Sequence, residues 1–288
     1  MTNLSRAIDL EAYRRDGFVV CHFPLFEPDR LDALASLADE YRHDVAQGRR
    51  AADLNVPHFD DARLFDWLMA DSVLDLVEPI IGPDIALWTS QFFCKAPGTG
   101  QAIGWHTDGH YWSRHLDPVD VVSVWLALDA ADAGNGGLAV VPGSHRRRDF
   151  RYSPRAKDDN PFFPVAVRAE DVDPAEVVTI ELARGEFVVF DAWLLHGSKA
   201  NHSGRRRCGF TLRYMPTSNR FHAQGRRGAS AWARRQLTPI LKLLRGRAPY
   251  THRIYLARGV DHAGNRYDDW SGALSVRRTL SPNDHTGR

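Results

Sequence analysis

Past residue 84 the chain stops reading as helices and breaks into short runs rich in Val, Phe, Trp and Tyr, punctuated by Gly and Pro. That change constrains the fold more than any other feature. The runs are Ile85 to Ala96, Val119 to Asp129, Gly137 to Val141, Glu186 to Leu195 and Cys208 to Met215. Such densities of β-branched and aromatic residues favour extended chain. Many short strands with turns between them predict a sandwich or barrel, not a parallel βαβ sheet. Residues 1–84 read as mostly helical. Ser5 can cap a short helix that stops near Gly17, and Phe18 to Phe23 reads as a strand. From Pro28 to Gln47, Leu31, Leu34, Ala38, Tyr41 and Val45 recur at helical spacing, with Pro28 suited to a first turn and Gly48 to a stop. A third amphipathic stretch covers Asp61 to Ile81.

Downstream, Arg146 to Asp171 is polar and reads as an irregular surface excursion. A helix is expected over Ala229 to Leu244, kinked at Pro239, with Trp232, Leu237, Leu241 and Leu244 as a stripe that packs as a lid or forms a subunit interface. With no internal repeat and no low-complexity linker, one domain is expected: 1–84 mostly helical, 85–215 the β core, and 216–288 a C-terminal helix and extension.

The 288 residues are 43% hydrophobic, enough for a sizeable core. Lys plus Arg number 37 against 36 Asp plus Glu, which gives no reason to expect nucleic acid as a partner. No uncharged apolar stretch approaches the ~20 residues that span a bilayer. Met1 to Asp16 has no apolar signal core, and Cys21, Cys94 and Cys208 offer neither a disulfide framework nor a CxxC zinc site. These features favour a cytoplasmic, reducing setting. The neutral total hides one asymmetry: Ala192 to Val260 contains many Lys and Arg and no acid. It either steers an anionic ligand or forms a solvated face that pairs with Asp29, Asp32, Asp39, Glu40 and Asp44 of the N-terminal helices.

The chemistry is concentrated in Gly104-Trp105-His106-Thr107-Asp108-Gly109-His110-Tyr111-Trp112. In extended chain alternate residues share a face, so His106 and Asp108 can reach one point. They supply two ligands of a 2-His-1-carboxylate facial triad, the arrangement of non-heme Fe(II) oxygenases. His-x-Asp alone is common, and a solvent-exposed turn is its ordinary setting. A third ligand is available at His196, at the end of the run Glu186 to Ser198. Turn residues Asn201, Ser203 and Gly204 then lead to Arg207 and the strand Cys208 to Met215, which reads as a hairpin facing the same pocket. A fixed guanidinium beside a metal suits a dicarboxylate cosubstrate: its 2-oxo acid end chelates the metal and its far carboxylate takes a bidentate Arg pair.

From Ile85 to Met215 the chain resembles the phytanoyl-CoA dioxygenase family of Fe(II)- and 2-oxoglutarate-dependent oxygenases. The resemblance rests on Trp105 to Asp108, on Val122 to Asp129, on Asn135-Gly136-Gly137-Leu138 running into Val141-Pro142-Gly143-Ser144-His145, and on His196-Gly197-Ser198 followed by Arg207. It implies a mainly β fold with flanking helices, a double-stranded β-helix (jelly roll, cupin-like) buttressed on one sheet by residues 1–84. It implies His106, Asp108 and His196 as iron ligands and Arg207 as the 2-oxoglutarate carboxylate partner, assisted by Ser198. Arg207, not Arg205 or Arg206, has the family's spacing from the distal His. The cofactors implied are Fe(II), 2-oxoglutarate and O2, and the substrate a small molecule oxidised at an aliphatic carbon. Related halogenases replace the carboxylate with a small residue; keeping Asp108 favours hydroxylation. The alternative is a cupin-like metal protein or binding module without turnover, which would need no guanidinium at that spacing.

Further residues stay open between two roles. Trp125 is core packing or a wall of the 2-oxoglutarate site. Gln91, on one strand face with Phe93 and Lys95, hydrogen-bonds the cosubstrate or satisfies a neighbouring backbone group. His110 contacts substrate or is structural, Tyr111 and Trp112 line the substrate entrance or cap the barrel, and His145 belongs to a loop that orders the sheet.

Overall fold

A computed structural model describes residues 8–47, 55–154, 165–223 and 252–270. The expected helix at 229–244 lies outside them, as does Ser5 itself. The helices are α1 (Leu10–Asp16), α2 (Pro28–Ala46), α3 (Phe65–Leu68), α4 (Asp71–Ile81) and a short α5 (Asp108–Trp112). Among the strands are β1 (Phe18–Cys21), β2 (Ile85–Lys95), β3 (Ile103–His106), β4 (Leu116–Asp117), β5 (Val122–Ala127), β6 (Ala139–Val140), β7 (Tyr152–Pro154) and β8 (Val165–Val167). They continue as β9 (Val178–Thr179), β10 (Phe187–Asp191), β11 (His196–Ser198), β12 (Arg207–Pro216), β13 (Arg220–Phe221) and β14 (Tyr255–Arg258).

A six-stranded sheet runs β1-β10-β5-β12-β2-β14 and a four-stranded sheet β3-β11-β6-β9, with antiparallel pairing throughout. Pleating sorts the large sheet's side chains onto two buried faces. Val122, Val124, Leu126, Phe187, Val189, Phe210 and Leu212 pack with Leu31, Leu34, Tyr41, Leu74 and Val77 of α2 and α4. Their alternates Trp125, Ala127, Val188 and Phe190 pack with Leu138 and Val140 towards the small sheet. Burial on both faces explains why these strands read as nearly continuous apolar runs. The architecture is the two-sheet jelly roll, with helices covering the outer face of the large sheet.

Four expectations need correction. The first helix is capped by Asp9, whose Oδ1 accepts from Ala12 N at 2.9 Å, and it ends at Gly17 in the left-handed conformation (φ 84). The stretch from Asp61 to Ile81 is not one helix: Asp61 caps a 3-10 turn, and extended Ala70 separates α3 from α4. The run from Glu186 to Ser198 is not one strand either. At Asp191 the side chain accepts from Trp193 N (2.7 Å) and the carbonyl from Leu194 N (3.0 Å), and this turn carries the chain from one sheet to the other. Consequently β11 and β12 do not form a hairpin; they sit in opposing sheets and face each other across the interior. Finally, Cys94 and Cys208 are directly opposite in the β2–β12 register and form a disulfide, which their separation of 114 residues conceals. The polar excursion also contains order, the β7–β8 ribbon.

Candidate metal and cosubstrate site

Two ladder positions create the site. His196 and His106 are register partners on β11 and β3, so both imidazoles project from the small sheet at one level. Thr107 continues the extended path (φ -112, ψ 135), which returns Asp108 to the His106 face as the first residue of α5. The potential ligand atoms of His106, Asp108 and His196 all lie within 4.8 Å of one another, and all three residues are buried.

These residues fit a divalent metal. Each imidazole engages a backbone carbonyl through Nδ1, His106 with Gly104 O at 2.8 Å and His196 with Leu194 O at 2.9 Å. Such a bond fixes the tautomer with its lone pair on Nε2. Burial and the neighbouring His196 push His106 down to about 3, and burial lowers His196, so both are neutral and able to ligate. Burial alone would raise the Asp108 carboxyl, but the Arg213 guanidinium beside it holds it below its ordinary value. Two neutral imidazoles and one carboxylate form the N2O donor set suited to Fe(II).

The cavity beside this cluster is lined by Phe93, Ile103, His106, Trp125, Leu138, Phe190, His196, Gly197, Ser198, Arg207, Thr211 and Arg213. Arg207 is buried, with Nε and Nη2 donating to Gly136 O (3.0 and 2.6 Å) and Nη1 to Phe93 O (3.2 Å). Burial lowers it to about 10, which leaves it charged at neutral pH. The Asn135-Gly136 turn explains itself here. Gly136 is left-handed (φ 79), and a Cβ would lie 2.5 Å from the Lys199 carbonyl. Lys95 Nζ donates to Ser198 Oγ at 2.7 Å and also reaches the Lys199 carbonyl. Burial and then Arg207 push Lys95 down to about 6.

Of the residues with two open roles, Trp125 lines the cavity, its ring 5.3 Å from Arg207 Cζ. Its indole lies against Gly209, where a Cβ would meet Cζ2 at 2.2 Å. Gln91 is half-buried and is not among the lining residues; its cross-strand partner Thr211 is. His110 is exposed and stacks on Tyr152 at 3.6 Å. The Tyr111 ring sits 5.9 Å from that of His106, and its hydroxyl donates to Val165 O. Trp112 packs on Arg213 and Trp88. The loop containing His145 ties the sheet to α1: Gly143 N donates to Asp16 O, and Ser144 Oγ accepts from Leu195 N.

Among the described residues, several arginines of the acid-free stretch pair with acids outside it. Arg206 pairs with Asp129 and with Asp39 on α2, Arg205 with Asp132, and Arg258 with Asp71, Asp75 and Glu78 on α4. Two residues went unnoticed in the sequence. Tyr152 of β7 hydrogen-bonds Thr107, between two of the clustered side chains. Arg213 lies 3.3 Å from Asp108. A charged residue in an otherwise apolar strand, on the same face as Arg207, was the available signal.

Among the described residues no helix is long and apolar enough to cross a membrane. The family model for phytanoyl-CoA dioxygenase (PhyH) matches residues 13–209. The L-proline trans-4-hydroxylase of Streptomyces griseoviridis is 26% identical over 232 residues, 72% of this chain and 85% of its own. A probable alpha-ketoglutarate-dependent hypophosphite dioxygenase of Stutzerimonas stutzeri is 27% identical over 154 residues, 52% of each chain. The chain spans about half the length of several curated relatives that it matches. The non-heme monooxygenase ThoJ in its apo form shares the fold, with a TM-score of 0.65 and 23% identity over 93% of both chains. The chain therefore belongs to the phytanoyl-CoA dioxygenase family, whose enzymes use Fe(II), 2-oxoglutarate and O2.

Proposed function

We propose that this chain is an Fe(II)- and 2-oxoglutarate-dependent dioxygenase that hydroxylates an aliphatic carbon of a small molecule. The overall reaction converts R–H, 2-oxoglutarate and O2 into R–OH, succinate and CO2. One observation carries this reading: two imidazoles and a carboxylate converge within 4.8 Å beside a cavity that a buried arginine also lines. His106, Asp108 and His196 hold the metal. Arg207 and Ser198 take the far carboxylate of the cosubstrate, with Lys95 beside them and Trp125 as a wall. The bound metal and cosubstrate supply the oxidising chemistry; the chain's residues orient both and keep water out. Apolar Phe93, Ile103, Leu138 and Phe190 line the same space and serve that exclusion.

Relatives matched over more than 70% of this chain, named for L-proline and ectoine, support a small, polar substrate. Asp108 supports hydroxylation over halogenation, because it keeps the position that a halide would need. Tyr111 and Trp112, next in sequence to the ligands, form the substrate side.

The test is an anaerobic titration of metal-free protein with Fe(II) and then 2-oxoglutarate, following the visible charge-transfer band of the chelate. The band is expected in the wild type and not in Asp108→Ala. Tightly bound metal without a band would overturn the proposal and favour a metal-binding module.

A further inference from the structure

Arg213 is a second buried cation lining the same cavity as Arg207. It is buried on β12, six residues after Arg207 and on the same strand face. Its Nε lies 3.3 Å from Asp108 Oδ2, while Asp108 Oδ1 is the oxygen turned towards His106 Nε2, at 3.7 Å. The carboxylate is thus divided: one oxygen faces the ligand cluster and the other faces the guanidinium.

The rest of the guanidinium's surroundings hold it in place. Its Cζ sits 5.7 Å from the Phe93 ring centroid and 5.3 Å from that of Trp112, and Nη1 reaches Thr89 Oγ1 at 3.4 Å. Two aromatic faces suit an arginine better than a strongly hydrated lysine. The β2–β12 ladder shifts register between Arg213 and Tyr214. Such irregularities beside functional sites re-aim side chains.

We propose that Arg213 is a positioning residue that occupies Oδ2 of Asp108, so that this carboxylate offers the metal one oxygen and not two. The inference rests on the Fe(II)/2-oxoglutarate reading. A carboxylate with a free second oxygen can use both on a single metal, as acidic ligands commonly do in calcium sites. That second oxygen would compete with the cosubstrate for the same metal. Restraining it from the protein side keeps those positions open for the cosubstrate, at a cost in affinity for the metal alone.

The signature is a split between two affinities. In Arg213→Met, metal binding to the protein without cosubstrate is expected to tighten severalfold, because a second oxygen is released and a nearby positive charge is gone. The 2-oxoglutarate concentration that half-develops the charge-transfer band is expected to rise at least tenfold. A merely structural role would weaken both together. Arg213→Lys, which retains a cation, should lie between wild type and Arg213→Met in both quantities. Parallel loss of both affinities, or no change in either, overturns the proposal. So that the result does not hinge on the variant folding, the wild-type protein loaded with Fe(II) is also examined by anaerobic crystallography. Asp108 bound through one oxygen with Arg213 on the other is expected; binding through both oxygens, or Arg213 turned away, refutes it. A wild type that shows no band at all would instead be a failure of the functional reading.

Discussion

His106 and His196 face each other as direct register partners of β3 and β11, with their ring centroids 4.2 Å apart. The spacing of two metal ligands is therefore set by a backbone ladder and not by a flexible loop. Replacing either with Ala removes a ligand outright. Disturbing partners that only support a ligand already costs about 10–100-fold in affinity, so a loss of about 100-fold or more is expected. Equilibrium dialysis against Fe(II) or Co(II) measures it, and retained stoichiometric binding in His196→Ala would remove that residue from the site.

Arg207 spends three nitrogens on the carbonyls of Gly136 and Phe93 and remains charged inside the cavity. Removing one member of a buried charge pair costs about 2–5 kcal/mol. Arg207→Leu should therefore raise the half-saturating 2-oxoglutarate concentration by about 30-fold or more, at about 1.4 kcal/mol per tenfold. Metal affinity should stay within about threefold of wild type. If Arg205→Leu or Arg206→Leu produces that loss instead, the assignment of the carboxylate partner fails.

Lys95 contributes a pH dependence. Folded, it is pushed down to about 6, whereas an unfolded lysine titrates near 10.4. Between those values the unfolded chain binds the extra proton, so this group makes the free protein more stable as pH rises across the window. A bound dianion next to Lys95 restores the charged form. Binding should therefore take up a proton at pH 7.5, and cosubstrate affinity should fall as pH rises. Calorimetry in two buffers of different ionisation enthalpy counts the proton; uptake is expected in the wild type and none in Lys95→Met.

Gly209 is a packing requirement of the cosubstrate wall. A methyl group there would enter the Trp125 indole, which lies beside Arg207. Overpacking of this kind costs typically about 1–3 kcal/mol. Gly209→Ala should lower urea stability by that amount and also weaken 2-oxoglutarate binding. Gly209→Ala combined with Trp125→Phe should recover part of the stability. Additive losses in the pair would show that the two positions do not share the space.

The ordered motif made much of the architecture and clustering legible. The runs of Val, Phe and Trp lie close to the strands that form, because both faces of the large sheet are buried. His106, Asp108 and His196 come together because an alternating chain and a cross-strand pair are short-range geometry. What stayed hidden depends on contacts between distant segments. The exception is the Asp191 turn, a local break inside an apolar run, which moved His196 into a different sheet from Arg207. The Cys94–Cys208 bond, the Tyr152–Thr107 contact and the Arg213–Asp108 pair all join residues whose proximity no local pattern encodes. Gln91 shares its strand face with Phe93 and its level with Thr211, yet alternation specifies only the side on which a residue lies, not how far across the sheet the cavity extends.

β12 carries Arg207 at one end and Arg213 near the other, both on the face that looks into the cavity. Shifting the strand by one residue would turn both guanidiniums towards the helices and bring Cys208 and Tyr214 inward. Correct pairing of a single strand is thus a common prerequisite for recognising the cosubstrate and for disciplining the metal. A population of molecules mispaired there would be silent in both respects, so graded activity in a damaged sample should report the fraction of chains correctly assembled, not a uniformly impaired enzyme.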